Sequence, residues 1–512
     1  MPEQDDERLG RALRASRPAP SSDYGTRLRR RLTALDARTR RPDRLWTLVV
    51  AYACSGLLVL IFAAVAGAAP RPFMTGFADG IYENPATANV WFDRTVAAGA
   101  RFVLLPVDWA SVSPAQPPAG SGPSNPAYNW GTLDQAVRAA TAHGLTVAFT
   151  VAGGGGGPAW ADGPHRPRGV QPGTWRPNAQ ALGAFAQVLA RRYSGSFNPG
   201  TGTLPHVRYY QGWSEPNLDN HLTPQWSRVR HHWVAESPII YRGLLNAFYA
   251  GVKSVDRSDV VITGGTAPFG DTPGGKRVPP AEFVRDMLCL HGHGLTPQRC
   301  PDPAHFDILA HHPYALGAPG IHAFNADDAS VPDIGRLTRA LHKAERTGRV
   351  LPAGRKRVWV TEFSWDSNPP DPQGVPALTR ARWMDEAFYI LWRQGVEAIA
   401  WFELADAPPV PSYASTYQAG IYLLGGARKP DFEAFRFPFV VEPAANGRKV
   451  VWGISPDSGT VNVQRRQGSR WLTFASFNVK AHGVFTRTVS LPGRPLTRAQ
   501  VGGETSLAWQ TR

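Results

Sequence analysis

From residue 73 onward the chain alternates between short apolar runs rich in Val, Ile and Phe and longer stretches whose apolar residues recur with helical spacing. Such alternation is typical of βα units that build a parallel sheet. The runs predict strands at 73–79, 101–109, 145–153, 207–215, 260–266, 306–314, 357–365 and 397–405. Eight strands with intervening helices over roughly 360 residues predict an α/β fold, a (β/α)8 TIM barrel with insertions.

A doubly wound open sheet is the alternative fold. That fold would be expected to carry a glycine-rich nucleotide loop after its first strand, and the sequence has none there. The run of five glycines at 153–157 lacks the Lys-Ser or Lys-Thr that follows in a phosphate-binding loop. We therefore expect these glycines to let the loop after the third strand pass close to the barrel mouth.

The pattern changes near Pro430. Residues 431–436, DFEAFR, predict a closing helix, and short alternating runs separated by Gly, Pro, Asp and Ser follow it. That spacing is typical of a small all-β sandwich. We thus predict a barrel domain over 70–436 and an appended β-sandwich domain over 437–512.

The N-terminal part of the chain has a different character. Residues 45–69 contain no charged residue, and about 20 apolar residues suffice to cross a bilayer, so this stretch predicts a transmembrane helix. The Arg-rich residues 27–44 favour a cytoplasmic N-terminus, which would place everything after Ala69 outside the cytoplasm. Residues 1–44, rich in Arg, Asp, Ser and Pro, predict a disordered cytoplasmic tail.

A cleaved signal peptide is the alternative for the same stretch. Ala66, Gly67 and Ala68 have the small-residue form of a cleavage site, and cleavage near Ala68 would give a secreted protein. A polar segment of roughly forty residues is long for the start of a signal peptide, so we expect an uncleaved membrane anchor. Either alternative puts the bulk of the protein outside the cytoplasm.

The net charge of the chain is +15, from 55 Lys and Arg residues against 40 Asp and Glu residues. Only seven of the basic residues are Lys, and the Arg residues are scattered without a recognition motif or a basic stripe interleaved with aromatic residues. The excess therefore indicates a compositional bias, and we predict no nucleic-acid partner.

The cysteines agree with an oxidising compartment. Cys54 lies in the predicted membrane span, which leaves Cys289 and Cys300 to close the loop CLHGHGLTPQRC. The alternative is a metal site that adds His291 and His293 to the two thiols, but the spacing matches no zinc pattern. We predict the disulfide and no metal site.

Two acidic residues stand out at the carboxyl ends of the predicted strands, where a (β/α)8 barrel carries its chemistry. Glu215 ends the fourth predicted strand and Glu362 ends the seventh. These strands can face each other across the mouth, and hydrolysis of a glycosidic bond needs one protonated and one ionised carboxyl group. An ionised Glu362 is expected to raise the pKa of Glu215 and keep it an acid. Asp108 and Glu403 are weaker candidates for the acid, and no GxSxG motif supports a serine nucleophile.

The segment GWSEPN, residues 212–217, resembles the WNEPN motif at the end of the fourth strand in clan A glycoside hydrolases, particularly family 39. The resemblance covers roughly residues 71–436. It implies that Glu215 is the general acid/base and that Glu362 is the nucleophile of a retaining mechanism. It also implies hydrolysis of O-glycosidic bonds in a carbohydrate substrate without a cofactor, and an accessory β-domain after the barrel.

The same resemblance implies sugar contacts. HHPY, residues 311–314, is similar to the His-x-Tyr element of the family, so Tyr314 is expected to hydrogen-bond the nucleophile while His312 or His311 lines the sugar site. Trp401 stands where the family often has an aromatic platform, and other tryptophans near strand ends suit stacking on sugar rings. The residues assigned to carbohydrate binding are Asp108, Trp213, Ser214, Asn217, His311, His312, Tyr314, Trp365 and Trp401.

One position departs from the motif. Ser214 stands where the family usually has an Asn that contacts the sugar 2-hydroxyl. A serine hydroxyl is shorter than an amide and cannot donate and accept from two separate atoms. Two alternatives therefore stay open: a carbohydrate-binding barrel that has lost turnover, and an envelope structural protein whose barrel displays the C-terminal sandwich.

Overall fold

The computed structural model of this protein describes residues 70–151 and 155–511. The tail predicted for 1–44 and the membrane span predicted for 45–69 lie outside these residues. Within the two described ranges, no helix has both the length and the apolar character needed to cross a bilayer.

Eight parallel strands follow one another around a closed sheet in chain order, and the first strand pairs with both the second and the last. The strands are β1 Met74–Ala78, β2 Phe102–Val107, β3 Thr146–Val151, β4 Tyr209–Gly212, β5 Val260–Thr263, β6 Ile308–His311, β7 Arg357–Val360 and β8 Ala398–Trp401. The predicted (β/α)8 barrel is confirmed. A doubly wound sheet is wrong because such a sheet would leave two edges open.

Each barrel strand is followed by at least one helix, and the outer faces of strands and helices share one buried apolar cluster. The helices are α1 Ala88–Ala97, α2 Trp109–Val112, α3 Gly131–Ala142, α4 Ala179–Arg192, α5 Ser237–Lys253, α6 Pro280–Met287, α7 Ile334–Arg346, α8 Ala377–Arg393 and α9 Asp431–Arg436. Helix α6 is short, with only eight residues, and offers few repeats of the helical period.

Helices α4 and α5 approach each other through glycines. A Cβ atom on Gly251 would clash with the main-chain oxygen of Gly183, and a Cβ atom on Gly183 would lie 2.8 Å from the oxygen of Ala247. The absence of side chains at these two positions therefore lets the two helices pack backbone to backbone.

Side chains along each barrel strand alternate between the helix layer and the barrel interior. The interior is filled by apolar residues from all sides, among them Leu104, Ile262 and Trp359. The Trp359 ring lies 5.6 Å from the Phe102 ring and 5.0 Å from the Tyr209 ring, measured between centroids. This packed layer closes the barrel below the carboxyl ends of its strands.

After α9 the chain forms two antiparallel sheets. The strands are β9 Phe439–Pro443, β10 Lys449–Ile454, β11 Gly459–Gln467, β12 Arg470–Val479, β13 Val484–Val489, β14 Leu496–Val501, β15 Glu504–Thr505 and β16 Trp509–Gln510. β9, β10 and β13 form one sheet, and the other strands form the second. The β-rich region is thus present, whereas its status as a separate sandwich domain stays a prediction.

Apolar residues of this C-terminal region belong to the same buried cluster as the outer layer of the barrel. The Trp452 ring of β10 shows the contact, since its centroid lies 6.2 Å from the ring of Phe73, 5.7 Å from Tyr389 and 5.9 Å from Trp392. In addition, the main-chain N–H of Phe439 donates to Asp385 of α8 at 3.2 Å. The C-terminal strands therefore complete the core on one side of the barrel.

Cys289 and Cys300 form a disulfide in the segment between α6 and β6, as predicted. Because both thiols are used in this bond, the alternative metal site with His291 and His293 is wrong.

Candidate active site

Glu215 and Glu362 lie just beyond β4 and β7, at the same end of the barrel. The chain leaves β4 through an irregular turn in which Trp213 and Glu215 have φ angles of +87° and +43°. Such left-handed conformations are uncommon outside glycine. The N–H of Glu215 donates to the main-chain oxygen of Gly265 at 2.9 Å, which ties this turn to the segment after β5.

The two glutamate side chains meet around His312. The Nδ1 atom of His312 lies 3.0 Å from Oε1 of Glu215 and 3.8 Å from Oε2 of Glu362. One oxygen from each carboxylate and one ring nitrogen of His312 all lie within 4.8 Å of one another. The Tyr314 hydroxyl donates to Oε1 of Glu362 at 2.7 Å. The structure thus brings four of the sequence-predicted residues together as two hydrogen-bonded pairs, Glu215 with His312 and Glu362 with Tyr314, which meet at the 3.8 Å contact between His312 and Glu362.

A cavity of about 450 Å³ opens at the carboxyl ends of the strands and contains both glutamates. Three further carboxyl groups line it, those of Asp79, Glu83 and Asp108. In the part of the chain that the structure describes, neither Lys nor Arg contributes to the lining. A protein with an overall excess of positive charge therefore has a negatively charged cavity.

Burial and neighbouring charges set the protonation of the group around His312. Burial would raise the pKa of Glu215, but the hydrogen bond and charge of His312 outweigh burial and lower that pKa below its usual value. Burial raises the pKa of Glu362 despite the opposing charge of His312, and the charge of Glu215 raises it further. Burial would lower the pKa of His312, but the charges of Glu362 and Glu215 raise it above its usual value.

The expectation that Glu362 keeps Glu215 protonated is therefore wrong for the unliganded protein. The reason is geometric: His312 lies closer to Glu215 than to Glu362 and favours the ionised form of the nearer carboxylate. The sequence motif contains no information about this histidine's distance to either glutamate.

Asn217 lies outside the cavity lining and holds the loop after β4 in place. Its side chain is fully buried. The side-chain amide donates to the main-chain oxygens of Ala267 and Val278 at 3.1 and 3.0 Å, and its carbonyl accepts from the N–H of Ala267 at 2.8 Å. Because the buried amide makes these three bonds to the main chain and does not line the cavity, it is not placed to contact a sugar.

The alternation of side chains along a strand separates His311 from His312. His312 faces the cavity, whereas His311 faces the helix layer and bonds Thr266 at 2.8 Å and the Ala329 oxygen at 2.9 Å. The same rule applies at the end of β8. Trp401 points outward, fully buried, and donates to the Ala419 oxygen at 2.8 Å, while the next residue, Phe402, lines the cavity.

The remaining tryptophans assigned to sugar binding lie around the cavity rather than in its lining. Trp213 is fully buried and donates to the oxygen of His221 at 3.2 Å. Trp365 donates to the oxygen of Gly317 at 3.1 Å and lines a neighbouring cavity of about 440 Å³. Ser214 and Asp108 do line the cavity, and Asp108 also caps α2 by accepting from the N–H groups of Ala110 and Ser111.

Several cavity residues were missed by the sequence interpretation. Gln211 lines the cavity from within β4, and Tyr417 does so from the loop after β8. Asp79 follows β1 and accepts from the N–H of Leu404 at 2.8 Å and that of Ala405 at 3.3 Å, which joins the segment after β1 to the segment after β8. The end of β1 was the available signal for Asp79, since the same position marked the two glutamates.

Two groups in the described residues have the geometry to hold a metal ion. One is Glu215, His312 and Glu362, and the other is His206, Asp256 and Asp259. The second group lies before β4 and β5, at the opposite end of the barrel from the cavity. It therefore lies away from the end at which barrels of this type carry their chemistry.

No protein-family model matches the chain, and no curated protein matches it. Solved structures of similar fold include a family 39 glycoside hydrolase from the gut symbiont Bacteroides cellulosilyticus WH2, with a TM-score of 0.50 and 16% sequence identity over 82% of this chain and 81% of that chain. A glucosidase from Croceicoccus marinus gives a TM-score of 0.47 and 14% identity over 85% of this chain and 97% of that chain. The first likeness shows that the chain shares the fold of that family 39 glycoside hydrolase.

Proposed function

We propose that this protein hydrolyses O-glycosidic bonds by a retaining double-displacement mechanism, with Glu362 as the nucleophile and Glu215 as the acid/base. The observation that carries the proposal is the carboxylate pair, in which one oxygen of each glutamate lies within 4.8 Å of the other. Retaining glycosidases hold their carboxyl groups about 5–5.5 Å apart, whereas inverting enzymes need roughly 6.5–9.5 Å. The spacing here supports the retaining alternative.

In the first step, an oxygen of the Glu362 carboxylate bonds to the anomeric carbon while the bond to the glycosidic oxygen breaks, and that oxygen takes a proton from Glu215. In the second step, a water oxygen bonds to the same carbon, Glu215 takes the proton of this water, and the bond to Glu362 breaks. The hydrogen bond from Tyr314 orients Glu362 for attack.

Glu215 needs a proton before the first step, and His312 is its nearest donor. The Nδ1 atom of His312 lies 3.0 Å from Glu215, and the charges of Glu362 and Glu215 raise the pKa of His312, which favours the protonated ring. A sugar that enters the cavity displaces water and disfavours the ionised form of Glu215. The proton therefore moves from His312 to Glu215 when the cavity fills.

Covalent trapping tests the proposal. The full-length chain is incubated with fluorinated aryl glycosides that carry a good leaving group, and the peptide containing Glu362 is examined by mass spectrometry. A glycosyl adduct on Glu362 is expected, and the Glu362→Gln variant should give none. A panel of sugars that yields neither an adduct nor hydrolysis would favour the barrel without turnover.

We further propose that residues 45–69 anchor the protein in the cell membrane and that the barrel lies outside the cytoplasm. Support comes from the uncharged stretch, the Arg-rich residues before it, and the disulfide between Cys289 and Cys300. Protease added to intact cells should digest the barrel while an N-terminal tag stays protected. The mass of the purified protein separates an intact anchor from cleavage near Ala68.

A further inference from the structure

The cavity has an acidic wall opposite its hydrolytic pair. We use this name for Asp79, Glu83 and Asp108, which come from the segments after β1 and β2. The two hydrolytic glutamates come from β4 and β7. Glu83 and Asp108 are exposed to solvent in the mouth, so their carboxylates are accessible to a ligand.

The carboxyl groups around the cavity are crowded enough to perturb one another. Burial raises the pKa of Asp79 to about 6, and the charge of Glu83 contributes to that rise. Burial also raises the pKa of Glu83, together with the charge of Asp108. Burial and the charges of neighbouring carboxylates, with Asp79 the first of them, raise the pKa of Glu403 to about 9. A neutral ligand would displace water from this site and leave the repulsion uncompensated.

A buried acceptor adds a second, independent observation. Gln211 is 1% exposed and lines the cavity. Its amide nitrogen donates to the hydroxyl of Thr150 at 3.1 Å and to the oxygen of Trp213 at 3.2 Å. Among the described residues, nothing donates a hydrogen bond to its Oε1 atom. This buried acceptor is therefore free to take a hydrogen bond from a donor group on a bound ligand.

The charge balance of the lining excludes one class of sugar and favours another. Sugars that carry carboxylate, sulfate or phosphate are normally held by Arg or Lys, and neither lines the cavity in the described ranges. The cations available there are two histidines, of which His312 is occupied by the glutamate pair and His221 has its pKa lowered by burial. A protonated amine on the ligand would supply the missing positive charge.

The neighbouring cavity is also lined by carboxyl groups. It shares Tyr417 with the first cavity, and its lining includes the rings of Trp365 and Tyr413 together with the carboxyl groups of Asp366 and Asp371. No Lys or Arg from 70–151 or 155–511 lines this cavity either. Aromatic rings beside carboxylates suit a second sugar ring that also carries an amine.

From these observations we infer that the substrate is an oligosaccharide of amino sugars with free amine groups, whose ammonium groups bind the acidic wall. The inference rests on the proposed function, because it names the substrate of the same site. A cavity lined by one sign of charge also concentrates ligands of the opposite sign, which favours a cationic chain during encounter.

The test compares two β-1,4-linked tetramers that differ only at carbon 2, the glucosamine tetramer and the glucose tetramer. Their affinities for the full-length Glu215→Gln variant, which prevents turnover, are measured by calorimetry. The glucosamine tetramer should bind at least about tenfold more tightly, the size expected for a hydrogen bond to a charged group. High salt should weaken its binding and leave that of the glucose tetramer unchanged.

A second variant assigns the effect to the acidic wall. Adding Glu83→Gln should lower the affinity for the glucosamine tetramer by about tenfold and that for the glucose tetramer by less than about twofold. The matched control is Asp457→Asn, which removes one negative charge in the C-terminal region and should change neither affinity. Equal affinities for both tetramers, or an effect of Asp457→Asn as large as that of Glu83→Gln, would overturn the inference.

The experiments distinguish a failure of the amino-sugar inference from a failure of the proposed hydrolase function. A Glu362 adduct with preferential binding of the glucose tetramer would keep the hydrolase and reject the amino-sugar substrate. Selective binding of the glucosamine tetramer without any adduct would keep the ligand class and reject hydrolysis.

Discussion

At the scale of single residues, His312 is the side chain that connects the two glutamates. It bonds Glu215 through Nδ1 and Thr361 through Nε2 at 3.1 Å, and it is 1% exposed. Its charge lowers the pKa of both carboxyl groups relative to what burial alone would give. The residue therefore controls how many protons the pair holds at a given pH.

Replacing this residue should shift the pH dependence of hydrolysis. In His312→Gln, the pKa of Glu362 rises further because burial and the charge of Glu215 are no longer opposed by the imidazolium. In the proposed mechanism, attack requires ionised Glu362, so activity is present above this pKa and lost as the pH falls through it. The acidic limb of kcat/KM against pH should move to higher pH.

The control for this prediction is His322→Gln. His322 lies on the surface and bonds Asp333 at 2.7 Å, so its replacement should leave the profile in place. An acidic limb that stays put or moves to lower pH in His312→Gln would contradict the assigned role.

The sequence predicted the positions of the two glutamates better than those of the residues around them. Glu215, Glu362 and Tyr314 follow from strand ends and one motif, because a residue at a strand end lies at the mouth whatever its neighbours are. A platform residue depends on register, since a shift by one position moves a side chain to the other face. That is why Phe402 lines the cavity where the sequence favoured Trp401.

At the scale of elements, the loop after β4 depends on one side chain. Removing it in Asn217→Ala leaves three buried main-chain groups without their partners. The free energy of unfolding should fall by about 3 kcal/mol, measured by urea denaturation. Asn84→Ala, which removes one exposed hydrogen bond to the N–H of Ala86, should cost less than about 1 kcal/mol. Equal losses in the two variants would argue against a structural role for Asn217.

The packing of α4 on α5 gives a second prediction at this scale. Gly251→Ala introduces a Cβ atom against the main-chain oxygen of Gly183 and should lower the free energy of unfolding by about 1–3 kcal/mol. Gly243 lies on the same helix with open space around it, so Gly243→Ala should stabilise by up to about 1 kcal/mol through helix propensity. Thermal unfolding of both variants checks the contrast, and a shift of the same sign in both would refute it.

Elements were predictable where a periodic pattern was long enough to recognise. All eight barrel strands were predicted, but each predicted range continues past the carboxyl end of the observed strand by one to several residues. The run 207–215 is an example, because the strand it contains is β4 Tyr209–Gly212. The chain leaves the sheet there through left-handed residues that an apolar pattern does not reveal.

At the scale of the whole molecule, the barrel and the C-terminal strands share a core. Trp452→Ala removes a ring that packs on three barrel residues and should lower the free energy of unfolding by about 3–5 kcal/mol. Circular dichroism and tryptophan fluorescence should report one coincident transition. Trp471 lies on the partly exposed face of β12 beside Arg498, so Trp471→Ala should cost less than about 1 kcal/mol. Two separate transitions, with the barrel unaffected by Trp452→Ala, would show independent units.

The closed barrel followed from sequence because alternation of strands and helices restricts the possible sheets to a few. The shared core could not be predicted from the sequence. The pattern around Trp452 is that of an ordinary inward residue of a small sheet, and only the structure shows that the ring contacts Phe73 and Tyr389. The negative charge of the cavity lining could not be predicted either, because a net charge of +15 describes the whole chain and not one surface.

The hydrogen bond from Leu404 to Asp79 joins residues that are 325 positions apart. While the chain is being synthesised, the segment after β1 therefore lacks its partner until nearly the entire barrel has left the ribosome. Contacts between such distant residues form late, because the intervening chain must first lose its conformational freedom. A nascent chain should accordingly gain its ligand-binding competence in one late event rather than in proportion to its length.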